Sequence, residues 1–241
     1  MNTSTKAAGM RAADNAHLHA AHDPIYEKMY AAIFERRLPP GTKLGEDKLA
    51  GIFGVSRARI RQTLARLAFD QIIELIPQRG AFVASPTPQQ ARDVFEARRL
   101  IEPALVARLI GDVQPTHLAQ LKAHVKREMA ARASGDQHAV VRLSGEFHTL
   151  LGDLAGNSAL AASLRQMCAQ TVLIIALYDS PTRQACRADE HEQLVAAIEA
   201  KDTGHACALM LEHLRHIEAG LVLHKDAVEV DLQAVFSDAL E

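Results

Sequence analysis

The run Gly54-Val55-Ser56-Arg57-Ala58-Arg59-Ile60-Arg61-Gln62-Thr63-Leu64 joins a tight turn to a helix that opens with three arginines. Glycine tolerates the backbone of a sharp turn, and Ser56 suits the N-cap because its hydroxyl can accept one of the free N–H groups of the first turn. Ile60, Leu64 and Leu67 then recur at helical spacing, which predicts a helix over 57–69 with one packing face. Arg57 and Arg61, four residues apart, share an exposed face of that helix, whereas Arg59 and Arg66 project from a different arc.

Before this run, residues 46–53 read as a short helix carrying Leu49, Ile52 and Phe53. Earlier still, Asp23-Pro24 starts a helix in which Ile25, Met29 and Ile33 recur, and Pro39-Pro40-Gly41 stops it. After residue 69 the apolar period drops from 3.6 to 2. Residues 72–76, the turn Pro77-Gln78-Arg79-Gly80 and residues 81–84 therefore predict a small hairpin. Helix, short helix, glycine turn, arginine-bearing helix and basic hairpin, in that order, are the plan of a winged helix-turn-helix. The residue types suit DNA: a helix for the major groove, cations that reach phosphates and guanine edges, and a neighbouring positive loop that holds the register. Arginines on one helix could be an ordinary solvated face. A solvated face requires neither the turn before it nor the Gly-tipped hairpin after it.

The charge distribution agrees. Up to Ser85 the chain has 12 Lys+Arg against 8 Asp+Glu, and beyond it 15 against 21, so a basic front precedes an acidic back. Only the front is suited to a polyanion.

From Ile25 to Val83 the sequence resembles the GntR family of bacterial regulators. The resemblance is carried by Leu38-Pro39-Pro40-Gly41-Thr42-Lys43-Leu44, by Leu49-Ala50, by the opening run, and by Arg79-Gly80 with Phe82-Val83. It implies that Arg57 and Arg61 bind operator DNA and that the wing glycine, Gly80, enters the minor groove. Ser56, Arg59 and Arg79 complete the expected DNA-binding set, although Arg59 stands where the family often has proline or threonine.

Ser85-Pro86-Thr87-Pro88 is a stiff polar connector, and everything after it reads as helical, with helices near 89–109, 115–132, 137–155, 159–178, 183–199 and 202–223. Arg98-Arg99-Leu100-Ile101-Glu102 in the first of these resembles the FadR-type C-terminal (FCD) domain. That resemblance implies a helical bundle that dimerises and holds a small-molecule effector, often a carboxylic acid.

His148, His191 and His213 lie on three different predicted helices. His191 is flanked on its face by Leu194, Val195 and Ile198, and His213 by Ala206, Leu209, Met210 and Ile217. His148 sits at the edge of the stripe of Val140, Phe147, Leu151 and Leu154. A single histidine on such a face is usually a hydrogen-bonded core residue. Three of them can satisfy their nitrogens together on one divalent cation, zinc or nickel for a three-imidazole site. The metal-binding FadR-type subgroup uses an aspartate and three histidines, and these positions match the histidines. Ser144 departs from it: four residues before His148 the subgroup has the aspartate, whereas serine is a poor neutral ligand. His216, one turn beyond His213, is a conceivable substitute ligand or a rim residue.

The 241 residues, 48% hydrophobic, can fill a substantial core. The longest apolar run, residues 171–178, is far short of a membrane span, so a soluble cytoplasmic protein is expected. Cys168, Cys186 and Cys207 are odd in number and widely spaced, which suggests free thiols rather than disulfides or a zinc ribbon. His17, His19 and His22 fall in a polar tail without periodicity.

The expected architecture is mainly α. A tail (1–22) precedes a winged helix-turn-helix with a hairpin wing (23–85), an all-α effector-binding and dimerising bundle (86–226) and a C-terminal tail (227–241). The expected function is an effector-controlled, homodimeric DNA-binding regulator, read as a repressor. Two other classes stay open: a constitutive DNA-binding protein whose helical half only dimerises, and a metal-dependent enzyme. Against the enzyme, the chain has no H-E-x-x-H helix, nucleophile elbow, P-loop or dinucleotide fingerprint.

Overall fold

A computed structural model of the chain describes residues 23–178 and 189–222. The predicted tails, Cys186, the three tail histidines and the first part of the helix expected over 183–199 lie outside these residues.

The first layer is a small α/β unit. Helix α1 (Pro24–Phe34) starts at Asp23, whose carboxylate accepts from the Ile25 N–H. Helices α2 (Glu46–Phe53) and α3 (Arg57–Phe69) follow, separated by Gly54 in the left-handed region at φ 64°. Strands β2 (Ile73–Ile76) and β3 (Gly80–Val83) form the predicted hairpin. A third strand, β1 (Lys43–Leu44), pairs with the other side of β3 and makes the antiparallel order β1-β3-β2. The sequence reading lacks this strand because two residues are too few to display a period. Met29, Ile33, Leu38, Leu49, Ile60, Leu64, Leu67 and Ile72 form the buried centre.

The second layer is helical throughout: α4 (Pro88–Gly111), α5 (Pro115–Ala133), α6 (Gln137–Leu154), α7 (Ser158–Tyr178), α8 (Glu190–Glu199) and α9 (Thr203–Ala219). Thr87 and Gln90 cap α4 reciprocally, which fixes where the connector becomes helix. Helix α9 ends sooner than the apolar pattern predicts. Gly220 stops it, and the Val222 N–H instead bonds the Tyr178 carbonyl at 2.6 Å.

Helix α7 is long and apolar enough by length and composition to cross a membrane, more than the run 171–178 alone suggests. More than half of that stretch is buried, and α7 packs against both α4 and α6 as the core helix of the bundle. Its other side belongs to the winged unit: Ala169, Val172 and Leu173 join the same apolar cluster as Met29, Ile33 and Leu67. The two layers therefore share one continuous core at α7.

Candidate functional site

Two groups of residues carry chemistry, one on the surface of the winged unit and one in the middle of the bundle. On the surface, the Ser56 hydroxyl caps α3 by accepting from the Arg59 N–H. Arg57 and Arg61 stand one turn apart on the exposed face. Each is held by a carboxylate from the first turn of α2: Arg57 Nε lies 2.9 Å from Asp47 Oδ1, and Arg61 Nε lies 2.7 Å from Glu46 Oε2.

Arg59 does something different. Its Nη2 is 3.0 Å from Oδ1 of Asp23, whose other oxygen accepts from the Thr63 hydroxyl at 3.0 Å. Asp23 is buried, so this pair ties α1 to α3 from within the unit. At the wing, Arg79 is exposed with its guanidinium 5.5 Å from the Phe82 ring centre, and Gly80 beside it takes φ 98°, which a side chain rarely adopts.

Inside the bundle, the structure brings His148 of α6, His191 of α8 and His213 of α9 together, all buried. His213 Nε2 is 3.1 Å from His148 Nε2 and 3.2 Å from His191 Nε2. Each ring presents its other nitrogen to a carboxylate. His148 Nδ1 is 2.5 Å from Glu102 of α4, His191 Nδ1 is 2.8 Å from Glu128 of α5, and His213 Nδ1 is 2.7 Å from Glu190 of α8. Phe147 stacks on the His191 ring with centres 4.0 Å apart.

The protonation states follow from this wiring. Burial alone would raise the Glu102 carboxyl, but the Arg98 guanidinium and the His148 N–H hold it down at about 2. Glu128 and Glu190 are likewise held at about 2, against burial, Glu128 by the adjacent His124 and the hydrogen bond from His191, and Glu190 by His213 and His216. Burial lowers His148 to about 4 against the pull of Glu102. Burial and the neighbouring His191 lower His213 to about 3. With a carboxylate facing each Nδ1, a neutral ring carries its hydrogen there and presents a lone pair at Nε2.

His148 and His191 each bring Nε2 to within 3.1–3.2 Å of His213 Nε2, and three imidazole nitrogens gathered in this way fit a cation. The charge fits as well. Among the described residues, Glu102, Glu128 and Glu190 against the one buried guanidinium, that of Arg98, leave two negative charges, which a divalent ion balances. Ser144 is half-buried one turn before His148, where a fourth ligand would come from α6. His216 is further out: its Nδ1 shares Glu190 with His213, and its Nε2 faces Glu212.

The sequence reading missed the three glutamates and Arg98. Their signal was present in Arg98 and Glu102, a charged pair four residues apart within the apolar stripe of Phe95, Leu105 and Leu109. Arg98 is buried, donating from Nε to Glu102 Oε1 at 2.6 Å and from Nη1 to the Thr171 hydroxyl at 3.0 Å. Its Nη2 has no hydrogen-bond partner among the described residues.

Comparison with known proteins bears on both halves of the chain. Residues 22–83 match the family described as bacterial regulatory proteins, gntR family, and residues 93–216 match the FCD domain. The HTH-type transcriptional repressor RspR of Escherichia coli (strain K12) is 24% identical over 196 residues, covering 80% of this chain and 85% of RspR. The gluconate operon transcriptional repressor of Bacillus subtilis (strain 168) is 28% identical over 185 residues, 72% of each chain. The solved structure of E. coli McbR/YncC shares the fold, with a TM-score of 0.69 at 20% identity over 81% of this chain and 93% of that one.

Proposed function

The chain belongs to the gntR family of bacterial regulatory proteins and carries an FCD domain, and on that premise we propose that this DNA-binding transcription regulator is a repressor whose grip on its operator is set by a divalent metal and a carboxylate effector in the bundle. The observation that carries the proposal is the convergence of three buried imidazoles, whose Nε2 atoms gather while each Nδ1 faces a separate glutamate.

His148, His191 and His213 would hold the ion, with zinc or nickel suited to three imidazoles. Bound there, the ion supplies an electrophilic position for an anionic ligand. Arg98 supports an acid as that ligand, because its Nη2 is a buried N–H donor without an acceptor on the same guanidinium that grips Glu102. Ser144 supports it too, since a short neutral side chain leaves a ligand position to be filled from outside the protein.

Operator reading rests on Arg57 and Arg61 at the start of α3, with Arg79 and Gly80 at the wing. One such helix reads a short half-site, so the regulator works as a homodimer on a two-fold operator. Two relatives named as repressors support the sign of regulation.

The test is metal content per chain, by elemental mass spectrometry, on protein purified without chelator or affinity tag. About one zinc or nickel per chain, lost in His191→Ala, is the expected result, followed by selective thermal stabilisation of the loaded protein by small carboxylic acids. No metal after incubation with excess zinc or nickel would remove the metal and leave a metal-free histidine pocket.

A further inference from the structure

Arg57 and Arg61 each meet a carboxylate of α2. The contact is Nε in both cases, to Asp47 and to Glu46, and the partners stand on successive residues of the first turn of α2. A guanidinium has five N–H donors in a planar fork. A carboxylate at Nε leaves clear the outward pair of N–H groups, one on each terminal nitrogen, and this pair matches the O6 and N7 acceptors of guanine.

Two physical arguments make this arrangement specific rather than incidental. An exposed ion pair contributes little to stability, because solvent screens it and two side chains lose freedom. Asp47 and the arginines are well exposed, so folding energy does not explain why both pairs form on the DNA-reading face. A carboxylate beside a polyanion also repels phosphates, so an acid here lowers binding to DNA of any sequence. It can be tolerated where the arginine it orients contacts a base edge, since phosphate contacts position the protein and base contacts carry sequence information.

We propose that Asp47 and Glu46 are positioning residues for DNA recognition. Asp47 orients Arg57 and Glu46 orients Arg61 so that each reads a guanine with its terminal amino groups, and both acids disfavour binding to DNA that lacks those guanines. The proposal rests on the assignment of Arg57 and Arg61 to operator DNA. It goes beyond that assignment by naming the base that they read and the residues that set their geometry.

The experiment selects binding duplexes from a random pool with full-length wild-type protein and with Asp47→Asn and Glu46→Gln. Affinity for the selected sequence and for a random duplex is then measured at one fixed salt concentration. The wild type is expected to select a half-site with two invariant guanines. Asp47→Asn should relax the guanine read by Arg57 and Glu46→Gln the one read by Arg61, each with roughly tenfold loss of discrimination at that position. Affinity for the random duplex should rise in both variants.

Asp47→Glu, which keeps the carboxylate, should retain the guanine preference. That readout separates orientation of the arginine from any effect of the acids on the N-terminus of α2. An unchanged motif with an unchanged ratio of selected to random affinity would overturn the proposal, as would an equal rise for both duplexes. Failure of the wild type to select any motif would instead overturn the underlying DNA-reading assignment.

Discussion

Arg98 on α4 donates from Nη1 to the Thr171 hydroxyl on α7 at 3.0 Å, and this one bond joins the histidine centre to the helix on which the winged unit rests. On one side of the bond, Arg98 leads through Glu102 to His148. On the other, Thr171 lies beside Ala169, Val172 and Leu173, which pack into the winged unit's core. Gln166, on the same helix, donates to the Phe69 carbonyl at the end of α3. A ligand that changes what Arg98 bonds therefore acts on the seat of the DNA-binding unit, and its leverage equals its differential affinity for the two arrangements. Thr171→Val keeps the shape and removes the acceptor, leaving a buried N–H unpaired. We expect a loss of about 1–3 kcal/mol in denaturant unfolding, and a smaller difference in DNA affinity between zinc-loaded and chelated protein. An undiminished difference would place the coupling elsewhere.

Removing the cation itself should cost more. Glu102 is fully buried, and Arg98 is the charge that lets it remain ionised there. Arg98→Met leaves the carboxylate with only the His148 N–H, and breaking a buried pair from one side typically costs about 3–5 kcal/mol. The midpoint of urea unfolding should fall accordingly. A loss below 1 kcal/mol would mean that Glu102 is not held as an anion.

The local parts of this molecule were legible in the sequence and the tertiary parts were not. Ser56 as the cap of α3 and the glycine turn before it follow from rules that involve neighbours in the chain. The strand Lys43–Leu44 exists because β3 offers it an edge, and no pattern within two residues can reveal that. His191 and His213 could be placed on inward faces by periodicity, and His148 at the edge of one. Their glutamates could not, because Glu128 and Glu190 meet His191 and His213 through packing of α5, α8 and α9. Arg59 shows the same limit in reverse: spacing sets it apart from the face of Arg57 and Arg61, yet only the fold reveals its partner, Asp23.

That distinction between the arginines can be measured. Arg57→Ala should lower operator affinity by about 1–3 kcal/mol, the value of a good base contact, while thermal unfolding stays unchanged because its side chain is exposed. Arg59→Ala should behave oppositely, losing about 1 kcal/mol or less of stability, since its own guanidinium is partly in solvent. Its base preference should be intact. A matched loss of sequence discrimination in both variants, without destabilisation in either, would put Arg59 on the DNA.

The glutamates behind the histidines predict a graded effect on metal binding. Glu128→Gln keeps the size of the side chain but weakens the acceptor that fixes His191 at Nδ1. Loss of such a partner typically costs about 10–100-fold in metal affinity. Competition with a chromophoric zinc chelator would read this directly. Equal affinity in wild type and variant would mean that His191 is not a ligand.

Ser144 tests the charge argument from the other side. In wild type, three glutamates and Arg98 leave two negative charges for a divalent ion to balance. Ser144→Asp adds a carboxylate one turn before His148, and the loaded centre then carries net negative charge while gaining an oxygen ligand. Two consequences should separate. Zinc should bind more tightly, on the order of tenfold, a gain of the size expected when one local ligand interaction is added. Small carboxylic acids should stabilise the loaded variant less than the loaded wild type, because the added anion occupies the position they would take and repels them. Thermal shift with zinc alone and with zinc plus a carboxylate series distinguishes the two effects. Tighter zinc together with undiminished stabilisation by acids would show that the effector carboxylate does not meet the metal and would direct the search to the free N–H of Arg98.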